Sequence, residues 1–500
     1  MKIVYIGAGS FRFSYRLFKN FCAWAKIIPI EVWLVDINGP LLKMMYRFLK
    51  RMVEKYNLIN MFSLYMTTER REALENADVV LLSISIGQQE SEWFDIYIPQ
   101  KFGLPHTTGD TCGPSGLFRS LRTVPIILNI IKDTNELCPD ALHLNYTNPI
   151  APISYAVKKY YPNIEFLGIC HELFKGMKTI LKLLKKVGYK KIEKWENLDI
   201  KYSGLNHFVW LFSCKYNGDD LYPIIRENAH RGGKLAGRPF NFFLLEKYNY
   251  FCYPGSRHII EFLPKYFNYF NHNKIAKYWN MPKLRPVGLL KFGREASIWL
   301  YRQSSRKLFF SPTPSIKGER ILEMSIDWLK SKAGVYIEDS PRTHPINLPN
   351  KCHRIVSNLP EDCILESTGY FKDGKINVFN MGTIPNDIRD LVLIHAKNTP
   401  LFVESAISGD PDKLIKALLA DPMCQFIEDE DAIEGLMWNI LYYQRKWLIP
   451  MFEESIPTLE DLKKNKYYIN KKELHKKKNA MKVKFLPRKE LRKKAFFPKK

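Results

Sequence analysis

Short apolar runs that alternate with amphipathic stretches occupy the first 170 residues, and this alternation constrains the fold more than any other feature. Each run has the composition of a buried strand. The runs cover residues 2–6, 31–36, 77–83, 141–144 and 164–168, and the stretches between them predict helices at about 11–26, 41–56, 117–136 and 149–160. Strands that alternate with helices form a parallel sheet with right-handed crossovers. We therefore expect an α/β protein with an N-terminal, Rossmann-type doubly wound parallel sheet.

The turn after the first run carries glycines that favour a nucleotide site. Gly7, Gly9 and Ser10 lie between the strand and the next helix, where backbone N–H groups can approach a pyrophosphate. Arg12 occupies the position of the third glycine in the usual G-x-G-x-x-G pattern, so the turn alone is weak evidence. Asp36 ends the second run, and its carboxylate can accept hydrogen bonds from both ribose hydroxyls. The combination predicts NAD rather than NADP.

Reactive side chains follow the later runs. Cys170, His171 and Glu172 come directly after the run at 164–168, and two loops rich in Gly, Asp and Asn cover 109–116 and 145–149. Ligands of open α/β sheets bind beyond the carboxyl ends of the strands. A buried cysteine taken alone is equally well explained as a small apolar side chain. The shared edge of the sheet is what makes these residues candidates for a site.

His207 belongs to a second region, which begins where the strict alternation fades after residue 172. It follows a predicted strand at 198–204 and lies next to Asn206. A lone histidine in such a setting is more often a core residue than a ligand. Paired with Cys170, it offers one sulfur and one nitrogen, which suits a transition metal that keeps positions open for substrate oxygens.

Size and composition predict the domain organisation. A chain of 500 residues, 46% of them hydrophobic, exceeds one simple domain and predicts two packed lobes. We expect an NAD-binding domain at 1–172, a substrate, metal and oligomerisation domain at 173–450, and a tail at 451–500.

The net charge of +25 is concentrated at the carboxyl end. Residues 463–500 hold 17 Lys and Arg against two Glu, which accounts for 15 of the 25 charges. Such a tail is most simply a flexible, solvated extension, and contact with nucleic acid or a lipid surface is the alternative. Nucleic-acid binding is therefore not expected to be the main function.

The cysteines and apolar runs predict the compartment. Nine cysteines without paired spacing favour reduced thiols over disulfides or a closed zinc site. No apolar run reaches the roughly 18 residues of a bilayer span, and the N-terminus lacks the layout of a signal peptide. We expect a cytoplasmic protein with no membrane contact.

A series of short motifs resembles glycoside hydrolase family 4 over roughly residues 1–450. The motifs are GAGS at 7–10, VD at 35–36, GDTCGPSG at 109–116, NYTNP at 145–149, GICHE at 168–172, GLNHF at 204–208, YPGSRHIIEFLP at 253–264, SNLPEDCILE at 357–366, ALLADP ending at 422 and KWLIP ending at 450. The resemblance implies an oligomeric glycosidase that uses NAD and a divalent metal, generally Mn²⁺, instead of two carboxylates. It also implies a second domain of the α+β kind found at the carboxyl end of lactate and malate dehydrogenases.

In the mechanism implied by this resemblance, NAD oxidises the C3 hydroxyl of the sugar, a base removes the C2 proton, the metal stabilises the enediolate and the C1 oxygen leaves. Water then adds, and the hydride returns to C3. The resemblance places the metal on Cys170 and His207, and Cys-His-Glu at 170–172 is similar to the α-glycosidase members. The other site residues that it implies are Asn148, Glu172, Asn206 and Arg257 for substrate, and Asp110, His171 and Tyr253 for catalysis.

One position departs from the family pattern. Ser256 stands where α-glycosidase relatives commonly have aspartate in Gly-Asp-Arg-His, and serine has no useful basicity near neutral pH. Tyr253 or Asp110 would then take the C2 proton, unless the protein hydrolyses poorly or has a different substrate. Two other functions stay open at this point: an NAD-dependent dehydrogenase of the lactate/malate type, and a non-catalytic protein that binds NAD and sugar.

Overall fold

The computed structural model describes residues 1–104, 106–266, 314, 321–335, 342–448 and 452–470. Its first half is the predicted doubly wound sheet. Six parallel strands lie in the order β3-β2-β1-β4-β5-β6. They are β1 (Lys2–Ile6), β2 (Ile30–Val35), β3 (Phe62–Thr67), β4 (Val79–Leu82), β5 (Leu142–Asn145) and β6 (Phe166–Gly168).

Seven helices connect and follow these strands: α1 (Phe11–Trp24), α2 (Gly39–Lys55), α3 (Arg70–Leu74), α4 (Gln88–Lys101), α5 (Gly113–Leu137), α6 (Ile150–Tyr160) and α7 (Glu172–Lys186). The Rossmann-type prediction is confirmed. Strand β3 escaped the sequence analysis because it lies at the sheet edge and exposes several of its side chains, so it has no continuous apolar run. The predicted loop at 109–116 is shorter than expected, since Gly113 already begins α5 and Pro114 occupies its first turn.

The second half extends the same sheet with antiparallel strands. They are β7 (Asp199–Leu205), β8 (Phe208–Tyr216), β9 (Asp219–Asp220), β10 (Phe251–Tyr253), β11 (His344–Pro349), β12 (Ile364–Lys372) and β13 (Lys375–Val378). Strand β11 joins the halves because it pairs with β6 on one side and β12 on the other. The full path is β10-β8-β7-β12-β11-β6-β5-β4-β1-β2-β3, so both predicted lobes share one sheet.

The helices of the second half cover that sheet and close the core. They are α8 (Tyr222–Glu227), α9 (Ala229–Ala236), α10 (Pro239–Tyr248), α11 (Ser256–Phe262), α12 (Ile321–Lys332), α13 (Asn350–His353), α14 (Asn386–Ser408), α15 (Pro411–Ala420), α16 (Glu430–Leu448) and α17 (Leu459–Lys464). Helix α14 packs against α5 and α6 of the first half. None of the helices described here combines the length and apolar character that a bilayer crossing needs.

Residues 452–470 pack on the fold, although we expected a flexible tail from residue 451 onward. The backbone N–H of Ile469 donates to Asn439 Oδ1 at 2.9 Å, and Asn439 on α16 donates to the Tyr467 carbonyl at 2.9 Å. Four apolar side chains are buried here: Phe452, Leu462, Tyr467 and Ile469. The expectation is wrong for this segment because these four apolar side chains attach it to the fold, although most of the residues between them are polar or charged. The rest of the basic tail, 471–500, lies outside the described residues.

This packing predicts different outcomes for two truncations. Ending the chain after Asn470 is expected to change the free energy of unfolding little, because the sequence removed is dominated by Lys and Arg, which are rarely buried in a core. Ending it after Pro450 removes four buried apolar side chains and is expected to lower that free energy by roughly 5 kcal/mol or more. Urea denaturation of both variants measures the difference. Equal stability of the two would contradict the packing described for 452–470.

Candidate active site

The turn between β1 and α1 has the geometry of a nucleotide cradle. Gly7 has a φ of +95°, and a Cβ there would lie 2.1 Å from the Ser83 carbonyl oxygen. A Cβ on Gly9 would lie 2.7 Å from Asp36 Oδ2, and the Gly9 N–H donates to that oxygen at 2.8 Å. Ser10 is exposed at the N-cap of α1 and makes no side-chain cap bond. The four predicted residues therefore lie together, and they fit a dinucleotide whose ribose binds Asp36.

A second cluster consists of Asp110, His207 and His258. Asp110 Oδ1 lies 3.6 Å from His258 Nδ1 and 3.9 Å from His207 Nδ1, and the two imidazole rings are 4.4 Å apart between centroids. One ligand atom from each residue lies within 4.8 Å of the others, close enough for all three to bind one metal ion. Thr111 orients the cluster, since its hydroxyl lies 2.7 Å from Asp110 Oδ1 and 2.9 Å from His207 Nδ1.

The charges in this cluster differ by residue. Burial lowers the pKa of His207 to about 3, so its imidazole is neutral and can donate a lone pair to a cation. Burial opposes protonation of His258 as well, but the Asp110 carboxylate raises its pKa. Although burial favours the neutral acid, His258 and Arg119 hold the pKa of Asp110 well below its usual range. Asp110 is thus an ionised carboxylate near neutral pH.

Cys170 follows β6 as expected but is not a member of the three-residue cluster. It is buried, and its Sγ accepts the N–H of Glu172 at 3.5 Å. Burial raises the pKa of the thiol well above its usual value, and the carboxylates of Glu366 and Glu172 raise it further. A bound cation reverses this effect because it stabilises the thiolate. Metal binding by Cys170 stays a prediction, and the structure brings two further donors, Asp110 and His258, to the other predicted ligand, His207.

His171 and Glu172 lie at the start of α7 and are partly open to solvent. Lys175, one turn along the helix, donates a hydrogen bond to Glu172, and His171 Nε2 lies 3.7 Å from the same carboxylate. Burial opposes the ionisation of Glu172, but the hydrogen bond from Lys175 outweighs it and lowers the pKa. This carboxylate can therefore accept hydrogen bonds from a hydroxyl group.

Two amide side chains present free oxygens. Asn148 Nδ2 donates to Asp110 Oδ2 at 3.2 Å, and Asn206 Nδ2 donates to Glu366 Oε2 at 2.8 Å. The Oδ1 atoms of both asparagines are buried and accept no hydrogen bond from any described residue. Buried acceptors are costly unless something satisfies them. These oxygens suit the hydroxyl groups of a sugar or a cation.

Tyr253 lies deeper than expected. It is fully buried at the end of β10, and its hydroxyl donates to Glu366 Oε1 at 3.1 Å. Burial raises the pKa of Tyr253 well above its usual value, and the nearby Glu366 raises it further. Burial also raises the pKa of Glu366 to about 7. A protonated phenol that is already engaged with a carboxyl group is a poor base, which favours Asp110 of the two predicted bases.

The loop that carries Asp110 is held by α11. Glu261 Oε1 accepts the backbone N–H groups of Thr107 at 2.6 Å, Thr108 at 2.8 Å and Gly109 at 3.0 Å. Arg257 donates to the Thr107 carbonyl at 2.7 Å and so also holds this loop, while its role in substrate binding stays a prediction. One short helix therefore supplies His258 to the cluster and anchors the loop that contains its partner.

Three site residues were missed by sequence reasoning: His258, Glu261 and Glu366. Glu261 and Glu366 are single acids within the short runs HIIEFLP and CILES, and both are buried. An acid that is buried in such a run requires a hydrogen-bonding partner, so its presence in the sequence could have indicated a polar site. His258 lies in the family motif at 253–264, but the sequence alone assigned it no role.

Comparison with known proteins decides the family. The model of the family 4 glycosyl hydrolases matches residues 2–186, and that of their C-terminal domain matches residues 202–424. This chain belongs to glycosyl hydrolase family 4. An α-galacturonidase of Thermoanaerobacter italicus is 27% identical over 470 residues, which cover 89% of this chain and 98% of that protein. An α-galactosidase of Bacillus subtilis is 28% identical over 423 residues, which cover 84% and 93%.

Solved structures agree on the fold of this family 4 enzyme. The Bacillus subtilis lplD protein has a TM-score of 0.78 at 24% identity and covers 88% of this chain and 99% of its own. A 6-phospho-α-glucosidase from gut microorganisms, solved with NAD and Mn²⁺, has a TM-score of 0.72 at 18% identity and covers 89% and 98%. The predicted family, fold class and glycosidase activity are confirmed, and the plain dehydrogenase and the non-catalytic binding protein are set aside.

Proposed function

We propose that this family 4 enzyme hydrolyses α-glycosides by oxidation and elimination, with NAD and Mn²⁺ or another divalent metal. The observation that carries the proposal is the cluster of Asp110, His207 and His258, which joins an ionised carboxylate to two imidazoles. The glycine turn with Asp36 supports NAD. Relatives that act on α-galacturonides and α-galactosides support an α-linked hexose or hexuronic acid as the substrate.

The residues divide the chemistry among them. When bound, NAD takes a hydride from the C3 carbon of the sugar and later returns it, and a divalent metal polarises the sugar oxygens. His207 and Cys170 hold the metal in this proposal, and Asp110 accepts the C2 proton because it is ionised and lies beside His207. His171, which is partly exposed, protonates the leaving oxygen.

Substrate binding falls to the neighbouring polar groups. The free Oδ1 atoms of Asn148 and Asn206 accept hydrogen bonds from sugar hydroxyls, and the Glu172 carboxylate accepts another. Glu366 accepts hydrogen bonds from Asn206 and Tyr253 and so fixes both side chains. Such preorganised acceptors fix the sugar so that the C2 proton faces a base.

The proposal also covers the oligomeric state and the cellular location of the protein. We propose a homodimer or homotetramer in the cytoplasm, in line with the family resemblance and with the buried, unbridged cysteines among the described residues. Contact of the tail at 471–500 with nucleic acid stays a minor expectation, supported only by its charge.

The decisive experiment is hydrolysis of an aryl α-glycoside in D₂O. Cleavage is expected only with NAD, a divalent metal and a reductant, without net growth of NADH absorbance, and with deuterium at C2 of the released sugar. Displacement at C1 leaves the C2 hydrogen in place. Steady release of NADH would indicate a dehydrogenase reaction, and cleavage with protium retained at C2 would contradict elimination.

A further inference from the structure

We propose that Arg238 binds the carboxylate of a uronic acid substrate and makes this enzyme selective for α-linked hexuronides over neutral hexosides. The inference rests on the proposed glycosidase function, and it adds to that function the chemical class of the sugar and the residue that recognises it.

Arg238 lies beside the turn that leads into α11. It is the residue before α10, and its backbone has a φ of 62° and a ψ of 58°, a conformation that is unfavourable for a residue with a side chain. Its Nη1 donates to the Pro254 carbonyl, and a Cβ on Gly255 would lie 3.1 Å from that nitrogen. Gly255 precedes Arg257 by two positions and His258 by three, and the charge of Glu172 acts on Arg238, so the guanidinium lies at the edge of the site.

Among the described residues, Arg238 has no carboxylate in direct contact, although Glu172 acts on it from nearby. Its guanidinium donates to the neutral Pro254 carbonyl, and it forms no ion pair with a carboxylate in the part of the chain that the structure describes. Burial lowers its pKa, and Glu172, whose charge raises that pKa, is itself hydrogen-bonded to Lys175. Ser256, the next polar side chain, is neutral and donates to Asn241 at 3.2 Å. A half-buried cation without a counter-ion favours an anionic ligand.

A carboxylate fits this setting better than a phosphate. One guanidinium forms a bidentate pair with one planar carboxylate, and the bond to Pro254 occupies one of the five N–H donors of Arg238 among the described residues. A phosphate dianion needs more positive charge than one arginine supplies. The nearby negative charge of Glu172 repels a phosphate dianion about twice as strongly as a carboxylate monoanion. A uronic acid carries its carboxylate at C6, away from the C1, C2 and C3 atoms that react.

The test compares Arg238→Gln and Arg238→Lys with the wild type on aryl α-galacturonide, aryl α-galactoside and aryl 6-phospho-α-glucoside. For the glutamine variant, kcat/KM on the galacturonide is expected to fall about 100-fold, while the value on the galactoside changes less than threefold. Arg238→Lys is expected to retain part of this activity, because lysine keeps the positive charge but cannot form the bidentate hydrogen bonds of a guanidinium. Arg231→Gln is the control, since Arg231 is exposed on α9 and bonds only Asn228 in the described residues.

Binding separates this inference from the proposed function. Calorimetry of galacturonate and galactose with the NAD- and Mn²⁺-loaded protein needs no turnover, so it decides the role of Arg238 even if the wild type cleaves no glycoside. Tighter binding of galacturonate that is lost in Arg238→Gln supports the inference. A wild type that prefers the galactoside or the 6-phospho-glucoside overturns it while hydrolysis stands. An equal loss on all substrates overturns it too, because Arg238 would then only hold the Pro254 turn.

Discussion

Replacing Asp110 with asparagine is expected to lower kcat on an aryl α-glycoside by about 10³-fold. The substitution keeps the shape of the side chain but removes the charge that faces His207 and His258. A proton acceptor in the transition state is worth roughly 10² to 10⁴ in rate, and the same change weakens any bound metal. Steady-state kinetics with saturating NAD and Mn²⁺ measures the loss.

The NAD site provides the internal control for this variant. Affinity for NAD is expected to stay the same, since Gly9 and Asp36 make their hydrogen bond without Asp110. Asp140→Asn, the same substitution at an exposed position of the same half, is expected to keep full activity. If Asp110→Asn kept more than a tenth of the wild-type kcat, Asp110 would be neither the base nor a metal ligand.

Replacing Glu261 with glutamine is expected to lower kcat by about 10- to 100-fold and the free energy of unfolding by about 2 to 4 kcal/mol at neutral pH. The carboxylate is buried, and it accepts three successive backbone N–H groups of the loop that ends at Asp110. An uncharged amide weakens these bonds and lets the loop move. Kinetics at 25 °C, with chemical denaturation of the same samples, separates misplacement of Asp110 from unfolding.

The destabilisation by Glu261→Gln is expected to depend on pH. Burial opposes ionisation of Glu261, but the hydrogen bonds from His106 and the backbone lower its pKa below the ordinary value. Its contribution to stability is therefore complete above about pH 5, beyond the pKa of an unfolded glutamate, and is lost as the pH falls through the lower folded value. The difference between wild type and variant should shrink at acid pH.

Glu54→Gln, at an exposed position on α2, is the matched control. It should change neither stability nor activity. A pH-independent difference for Glu261→Gln would argue that packing, and not ionised hydrogen bonding, is what holds the loop.

The local sequence pattern predicted those parts of the fold whose structure depends mainly on adjacent residues. Continuous apolar runs identified β1, β2, β4, β5 and β6 because strands covered on both faces need apolar side chains throughout. Strand β3, open at the edge, had no such run. The glycine turn was predictable because only glycine tolerates the close approach at Gly7 and Gly9. The packing of 452–470 was not, since four separated anchors leave no periodic signal.

By itself, the sequence determined the chemistry that this protein can perform, and the tertiary structure decided which residues perform it together. Asp36 and Cys170 were identifiable because each follows a parallel strand, and parallel strands end at one edge of the sheet. His207 follows β7, which runs opposite to β6, and was predicted only as a partner of Cys170. The meeting of Asp110 with His258, 148 positions later in the chain, and the burial of Tyr253 against Glu366 depend on how α11 and β12 dock on the sheet. Such contacts between distant segments are set by the packing of whole elements, which no local pattern encodes.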